Sequence, residues 1–490
     1  MSMLLKNATY LEPDCLSWGS GDITVTGDKI SALGRADEQA RFDRVIDCKN
    51  KIVIPGLINS HAHSYTGYLK GTIEKMPLDI YMLYAIAGGS CRSPREIYIC
   101  CALEALSMLK SGTTAVVDHF SQRPALSMEG LDAAASAYKD AGLRCRIATM
   151  FADRGFFETL PLQPGELPAE LLPAGGAKSQ SNGDYIALVE AAWLKYRDDP
   201  RVGVMLGTDG PQRCSDALLL MTGELEEKYS MGWQTHTLEA KTQAVVSRAL
   251  YGKGLIEHME ELGVLNERTA LVHSVWLSDR EMELVTRRGA SVVHCPSSNL
   301  HLGSGIAPAA RYRDLGIKLA LGSDGGNCGA TGMLEQIKLA ALLQNVSDAD
   351  YERWFSADKA LAMDYAGGAG VFRQELGALR VGAKADICII DTDNILWQPV
   401  NDLTRQLVYY ENGSNVDTVI VGGELAIEGG KSVLLDEEDI IAQAREICEK
   451  LRRDCAGSMA LVEKQKPYLR GMYLREIRRE LGYNRFTRDI

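Results

Sequence analysis

Pro55-Gly56-Leu57-Ile58-Asn59-Ser60-His61-Ala62-His63 is the stretch that decides the fold. A short apolar run, Ile52–Ile58, leads into two histidines separated by one residue. In a strand, residues two apart point to the same face, so both imidazoles can reach a single ion. Two imidazoles held side by side repel when protonated and favour a cation between them.

Outward from this run, the middle of the chain repeats the pattern. Eight short apolar runs each end in polar, chemically able residues: Ile52–Ser64, Thr113–Ser121, Arg144–Arg154, Val202–Gln212, Met231–Glu239, Ala270–Ser278, Ala290–Asn299 and Lys318–Asn327. Helical periodicity separates them, as in Glu96–Leu109, Tyr185–Tyr196, Ala240–Leu262, Asp279–Arg288 and Ala307–Leu315. Eight β-α units of this spacing fit a (β/α)₈ TIM barrel, whose chemistry sits at the C-terminal ends of its strands. Periodicity alone also allows an open, doubly wound sheet, and the histidines break the tie. The chain has only eight. His61 and His63 end the first run, His119 the second, His236 the fifth, His273 the sixth and His294 the seventh, and Asp324 closes the eighth. His258 falls in a helix and His301 in the loop after strand seven.

The two ends of the chain read as β-structure. Asp22–Val25, Lys29–Leu33 and Arg44–Asp47 surround a Gly27-Asp28 turn, and Ala385–Ile390, Thr418–Val421 and Glu424–Ile427 surround Gly422-Gly423. Residues 1–56 and 377–435 are therefore expected to form one small β-sandwich domain, with the barrel at 57–376 and a helical extension at 436–490. From Ile441 to Ile490 there are 12 Lys/Arg and 7 Asp/Glu, so this extension is basic on an acidic body. Its plain reading is a solvated, mixed-charge helix; docking on its own domain or on a neighbouring subunit is the alternative.

The 490 residues are 46% hydrophobic and 24% charged, a globular composition, and too long for a single ordinary core. A net charge of −12 argues against a nucleic-acid binder. No apolar stretch is long enough to span a bilayer, and none of signal length follows Met1. The 12 cysteines are scattered without a CxxC pair, which fits reduced thiols in a cytoplasmic protein.

The motifs resemble the amidohydrolase superfamily along nearly the whole chain. They are Pro55–His63, Ser111-Gly112-Thr113-Thr114, His236-Thr237-Leu238-Glu239, Leu271–Leu277, Val293–Asn299, Ser304–Pro308, Gly322-Ser323-Asp324-Gly325 and Gly382–Asp386. Together they are most similar to the branch of cytosine, guanine and S-adenosylhomocysteine deaminases and triazine hydrolases. The resemblance implies His61, His63, His236 and Asp324 as metal ligands, with His273 either a further ligand or a group polarising the substrate. It also implies Glu239 as a proton-shuttling acid and base. Sister branches bridge two metals with a carboxylated lysine on strand four, but Val202–Asp209 has none, so one divalent metal per chain is expected. Zinc is favoured by the family, and iron suits imidazole equally. Such an ion lowers the pKa of its water from about 15.7 to roughly 7, Asp324 is placed to accept the water proton, and Glu239 to protonate the ring and the departing amine.

The expected function is an aminohydrolase (deaminase) acting on a nitrogen heterocycle by attack of metal-bound hydroxide. The alternatives are a hydrolase of the same fold displacing chloride, an alkylamine or a carbamate-type group, and a non-catalytic binding homologue. His119, Gln212, Trp276, His294 and Asn299 are secondary candidates for substrate contacts, each balanced by a structural role; His119 is as well read as a partner of Asp118, and Trp276 as core. Tyr65 and Cys214 are fainter hints. Adenosyl-type deaminases typically keep a glutamate after the first strand for ribose hydroxyls. Here no acidic residue occurs between Asp79 and Glu96, which favours a free base or triazine-like ring. The small heterocycle is the expected partner, with a homo-oligomer implied by the family.

Overall fold

The computed structural model describes residues 2–487 apart from 14, 16, 37, 38, 90 and 173–179. Eight parallel strands form the barrel: Leu57–His63, Thr113–Phe120, Arg144–Phe151, Val202–Thr208, Trp233–Thr237, Thr269–His273, Ser291–His294 and Lys318–Leu321. The last strand is interrupted at Gly322-Ser323 and resumes as Asp324–Gly325, which pairs in parallel with Ala62–His63. That pairing joins the eighth strand to the first and excludes the open sheet. All seven residues of Leu57–His63 are buried, as a strand covered on both faces requires.

The barrel floor is filled by Ile58, Val117, Met205, Val272 and Val293, with Val371 and Phe372 entering from below. Gly367 permits that entry: a Cβ there would lie 1.8 Å from the Leu319 carbonyl oxygen. The helical pattern Ala240–Leu262 is two helices, Lys241–Tyr251 and Leu255–Glu261, because Gly252 adopts the left-handed conformation (φ 69°) and ends the first.

Strands from both ends of the chain build the second sheet, as the hairpin signals implied. It is continuous through Ser2–Leu11, a strand that the alternation pattern did not announce. This strand pairs with Trp18–Thr26, with Arg44–Asp47 and then with Lys51–Pro55, and its register breaks between Leu5 and Ala8. The branch wraps an apolar core that includes Met3, Leu5, Ile23, Ile387 and Ile389.

Helix Glu437–Glu476 is capped by Asp436, whose carboxylate accepts from the amides of Glu438 and Asp439. Its Val462, Leu469 and Met472 pack against Ile80 and Leu83 of helix Leu78–Gly88. Beyond it, the Tyr483 hydroxyl donates to the Trp276 carbonyl at 2.8 Å, and Arg485 donates to the carbonyls of Val275 (3.1 Å) and Leu277 (3.0 Å). The basic extension is thus docked on its own barrel instead of standing in solvent, because the chain leaving strand six presents carbonyls that need donors. No helix among the described residues is long and apolar enough to cross a membrane.

Barrel and terminal sheet are joined by a buried ion pair. Arg144, on the third barrel strand, donates from Nε and Nη2 to both oxygens of Asp386 at 3.0 and 2.9 Å. Asp386 also accepts from the Gly422 amide, and its own carbonyl accepts from Gly56, just before the first barrel strand. Removing one partner strands the other charge. Arg144→Met should cost about 3–5 kcal/mol in urea unfolding; a loss under 1 kcal/mol would show that this contact does not tie the two units together.

Candidate active site

The C-terminal ends of barrel strands one, five, six and eight bring His61, His63, His236, His273 and Asp324 together. The ligating atoms of His61, His63 and His236 lie within 4.8 Å of one another, and so do those of His61, His273 and Asp324. His63 Nε2 lies 3.1 Å from His236 Nε2 and 3.4 Å from Asp324 Oδ1. His61 Nε2 lies 3.7 Å from the same oxygen.

The hydrogen bonds on the far side of each ring decide what these atoms carry. His63 Nδ1–H donates to the His119 carbonyl (2.8 Å) and His236 Nδ1–H to the Asp209 carbonyl (2.5 Å). His61 Nδ1–H donates to Gln234 Oε1 (2.8 Å), and Gln234 in turn donates to the Ser60 carbonyl (2.8 Å). A carbonyl accepts only from N–H, so each neutral ring turns a bare Nε2 lone pair inward. Burial lowers the pKa of all three, His236 to about 4, so protonation does not relieve the crowding. Burial alone would disfavour an ionised Asp324, but a donor on each of its oxygens, the Ser298 hydroxyl and the Gly325 amide, favours the carboxylate form. Bare lone pairs at 3.1 Å beside an ionised carboxylate fit a cation, and the donor set of imidazole and carboxylate suits zinc or iron.

Local backbone geometry aims these groups. Leu238, His273, Ser274 and Asp324 all have positive φ (46°, 65°, 51° and 64°), which costs roughly 1–3 kcal/mol each and turns the chain sharply at the strand ends. Gly322 lets the eighth strand approach: a Cβ there would be 2.7 Å from His61 Cβ. Ser298 donates to Asp324 Oδ2 (2.5 Å), and Gly325 N to Asp324 Oδ1 (2.7 Å). Asn299 Oδ1 accepts from His273 Nδ1 (3.0 Å), so His273 also presents a bare Nε2, 3.5 Å from Glu239 Oε2 and 3.9 Å from Asp324 Oδ2.

Glu239 is 4% exposed, and its Oε1 has no hydrogen-bond partner among the described residues. Burial, reinforced by the negative charge on Asp324, raises its pKa well above the ordinary value. A cavity of about 770 Å³ opens over this cluster; Tyr65, Asp79, Tyr81, Gln212, Glu239 and Gln243 are among its walls.

The secondary candidates separate. Gln212 lines the cavity with Oε1 unpartnered. Tyr65 lines it as well. His119 lies behind the cluster, its ring centroid 4.6 Å from that of His236, with Nδ1 facing Gln234 Oε1 at 3.2 Å. It does not pair with Asp118, which points to the opposite side of its strand and accepts from Ser64 and Tyr138. Trp276 does not face the cavity: its indole N–H donates to the Ser304 carbonyl and its ring packs on Phe486. His294 is buried away from the cavity, neither ring nitrogen has a partner among the described residues, and burial lowers its pKa to about 4. Asn299 acts on His273 and is not part of the cavity wall. Cys214 is buried, its thiol turned toward the Phe151 carbonyl. Sequence reasoning passed over Gln234 and Ser298. Gln234 stands two residues before His236, on the same inward face, and that spacing was a usable signal; Ser298 offered none.

Comparison with known proteins gives a consistent family. The chain is 30% identical over 456 residues to a 5′-deoxyadenosine deaminase of Methanobrevibacter smithii, covering 92% of this chain and 98% of that one. It is 30% identical over 429 residues to a 5-methylthioadenosine/S-adenosylhomocysteine deaminase of Thermococcus sibiricus, covering 87% and 94%. A zinc-bound adenosine deaminase of Xanthomonas campestris superposes with a TM-score of 0.81 at 25% identity, over 92% of this chain and 98% of that one. The atrazine chlorohydrolase of Arthrobacter aurescens TC1 in complex with zinc gives 0.83 at 25%, over 91% and 100%. Residues 52–426 match the model of the amidohydrolase family, and with the closed barrel and the clustered imidazoles they establish that this chain is a member of it.

Proposed function

We propose that the chain is a mononuclear, zinc-dependent aminohydrolase that releases ammonia from a nitrogen heterocycle, the substrate being an adenine nucleoside derivative. The observation that carries this reading is Glu239: a buried carboxyl with a raised pKa, one oxygen unpartnered, beside His273 and four converging ligand groups. The 30% identical relatives named as deaminases of adenosine derivatives support the substrate class. No acidic residue lies between Asp79 and Glu96, but Asp79 itself stands in the cavity wall, where a carboxylate can accept from ribose hydroxyls.

In this reading His61, His63, His236 and Asp324 hold one zinc ion, which two zinc-bound neighbours favour over iron. When bound, the ion supplies Lewis acidity that makes an ionised water available near neutral pH. Asp324, held ionised, accepts the proton of the attacking water. Glu239, protonated in its dry surroundings, delivers a proton to the ring nitrogen beside the attacked carbon. It then takes up the proton from Asp324 and passes it to the departing amine. His273, fixed by Asn299 with Nε2 unprotonated, accepts instead of donating, so it steadies the water or the cation and is not an oxyanion donor. Gln212 and Tyr65 contact the ring.

The atrazine chlorohydrolase likeness favours a second reading, in which the same site expels chloride or an alkylamine. Ammonia measured against total product, over a panel of aminopurine nucleosides, aminopyrimidines and chlorotriazines, separates the two. Glu239→Gln should lower ammonia release about 10²–10⁴-fold with zinc content unchanged. Product without ammonia would move the assignment to the second reading. Gln234→Leu, which removes the group that orients His61, should weaken zinc affinity about 10–100-fold in chelator competition; unchanged affinity would remove His61 from the ligand set.

A further inference from the structure

A cavity of about 660 Å³ lies at the opposite end of the barrel from the ligand cluster and shares no lining residue with the cavity over that cluster. It is walled by the N-terminal halves of strands three and four, by residues 229–232 on the approach to strand five, and by residues 371–373, which enter the floor from below. Its charged lining residues are Arg146, Arg197 and Arg373, with no carboxylate among them, in a chain whose net charge is −12.

Arg146 stands two residues before Ala148 on the inward face of strand three, so its side chain enters a floor built from apolar residues such as Met205 and Phe372. Its Cζ lies 5.1 Å from the centroid of the Phe372 ring. Its Nη1 takes the place that a side chain at position 203 would need: a Cβ on Gly203 would lie 1.7 Å from it. This half-buried guanidinium makes no hydrogen bond and no ion pair among the described residues, and burial lowers its pKa. Arg373 is equally without a hydrogen bond or ion pair among them. It holds the left-handed conformation (φ 57°) at the end of helix Gly368–Phe372, a position that favours glycine, and its Cδ would stand 3.2 Å from a Cβ on Gly232. Arg197, which ends helix Asn182–Tyr196, meets Asp198 only through Nε at 3.3 Å and lies over the Trp193 ring, 5.7 Å from its centroid.

A guanidinium drawn into an apolar floor without an acceptor is costly, and Met or Leu would fill the same space with none of that cost. An arginine in the left-handed region, where glycine is unstrained, is a second cost at the same cavity. Neither arrangement serves the packing of the barrel, and both are relieved by one thing: an anion.

We infer that this cavity is a second ligand site, separate from the active site, that binds a phosphate group. Three guanidinium groups with no lining carboxylate suit a ligand of about two negative charges. A phosphate carries about −1.5 to −2 near pH 7 and offers three strong acceptor oxygens, which the planar forks of arginine match. Bound there, it would join strand three, the end of helix Asn182–Tyr196 and the segment beneath the floor, and so add to the stability of the folded chain. Free phosphate and a phosphate ester share this chemistry.

The test uses the zinc-loaded full chain, with inorganic phosphate and ribose 5-phosphate as probes, and ribose and sodium chloride as controls at constant ionic strength. Calorimetric binding and thermal unfolding are measured for the wild type, Arg146→Met and Arg373→Gly. The wild type should bind one probe molecule per chain and melt higher in its presence. Arg146→Met should weaken that binding about 10–100-fold and Arg373→Gly about tenfold. Without a probe, both variants should melt no lower than the wild type, because one removes an unpaired charge and the other supplies the residue that the backbone favours. Tighter binding of ribose 5-phosphate names an ester as the ligand, and tighter binding of inorganic phosphate names the free ion. No binding beyond the sodium chloride control would overturn the site. So would phosphate affinity unchanged in both variants, which would place the bound phosphate elsewhere, as on the zinc. Arg146→Met melting below the wild type without a probe, with Arg373→Gly binding as the wild type does, would assign the guanidinium to the fold and equally overturn the site.

Discussion

Three bare imidazole nitrogens facing one carboxylate are the constraint on which the rest of this structure depends. The neutral rings cannot relieve their mutual repulsion by rotating, because each is anchored from behind by a carbonyl or a carboxamide. They cannot relieve it by protonation either, since burial disfavours the charged form. Such an arrangement is stable only when something positive is shared between the rings. The positive φ at Leu238, His273, Ser274 and Asp324 and the missing side chain at Gly322 are local costs that the packed barrel carries to hold it.

Much of this was legible in the sequence, for identifiable reasons. His61 and His63 obey the two-residue period of a strand, and the polar ends of eight apolar runs mark one rim of a barrel, so the cluster could be assembled on paper. Glu239 was legible through the resemblance of His236-Thr237-Leu238-Glu239 to the family's motif. The partners behind the cluster were not, because the pairing of Ser298 with Asp324 or of Asn299 with His273 joins segments whose relation only the fold defines. Trp276 and His294 show the converse: each ends a barrel strand or its loop, as the clustered imidazoles do, yet each is absorbed into packing. Position along a strand does not say which side chains face the cavity once the backbone twists at its end.

The extension after Asp436 illustrates a different limit. Charge counting saw an isolated basic segment, and a mixed-charge helix in solvent was the plain inference. Its apolar residues are spread over forty positions, and their target, helix Leu78–Gly88, is apolar on nearly every side, so neither partner advertises the other. Helix Leu78–Gly88 contributes Leu78, Asp79, Tyr81 and Met82 to the cavity wall, and Glu437–Glu476 packs against it.

The short pairing of Asp324–Gly325 with Ala62–His63 has a consequence for how this protein comes to exist in active form. It is the seam at which the sheet meets itself, and it lies within the ligand cluster. A shared ion there is a clasp across the seam, available only to molecules whose ring of strands has closed. An ion held there would bridge the two sides of the seam, so its binding energy would add to the stability of the closed ring.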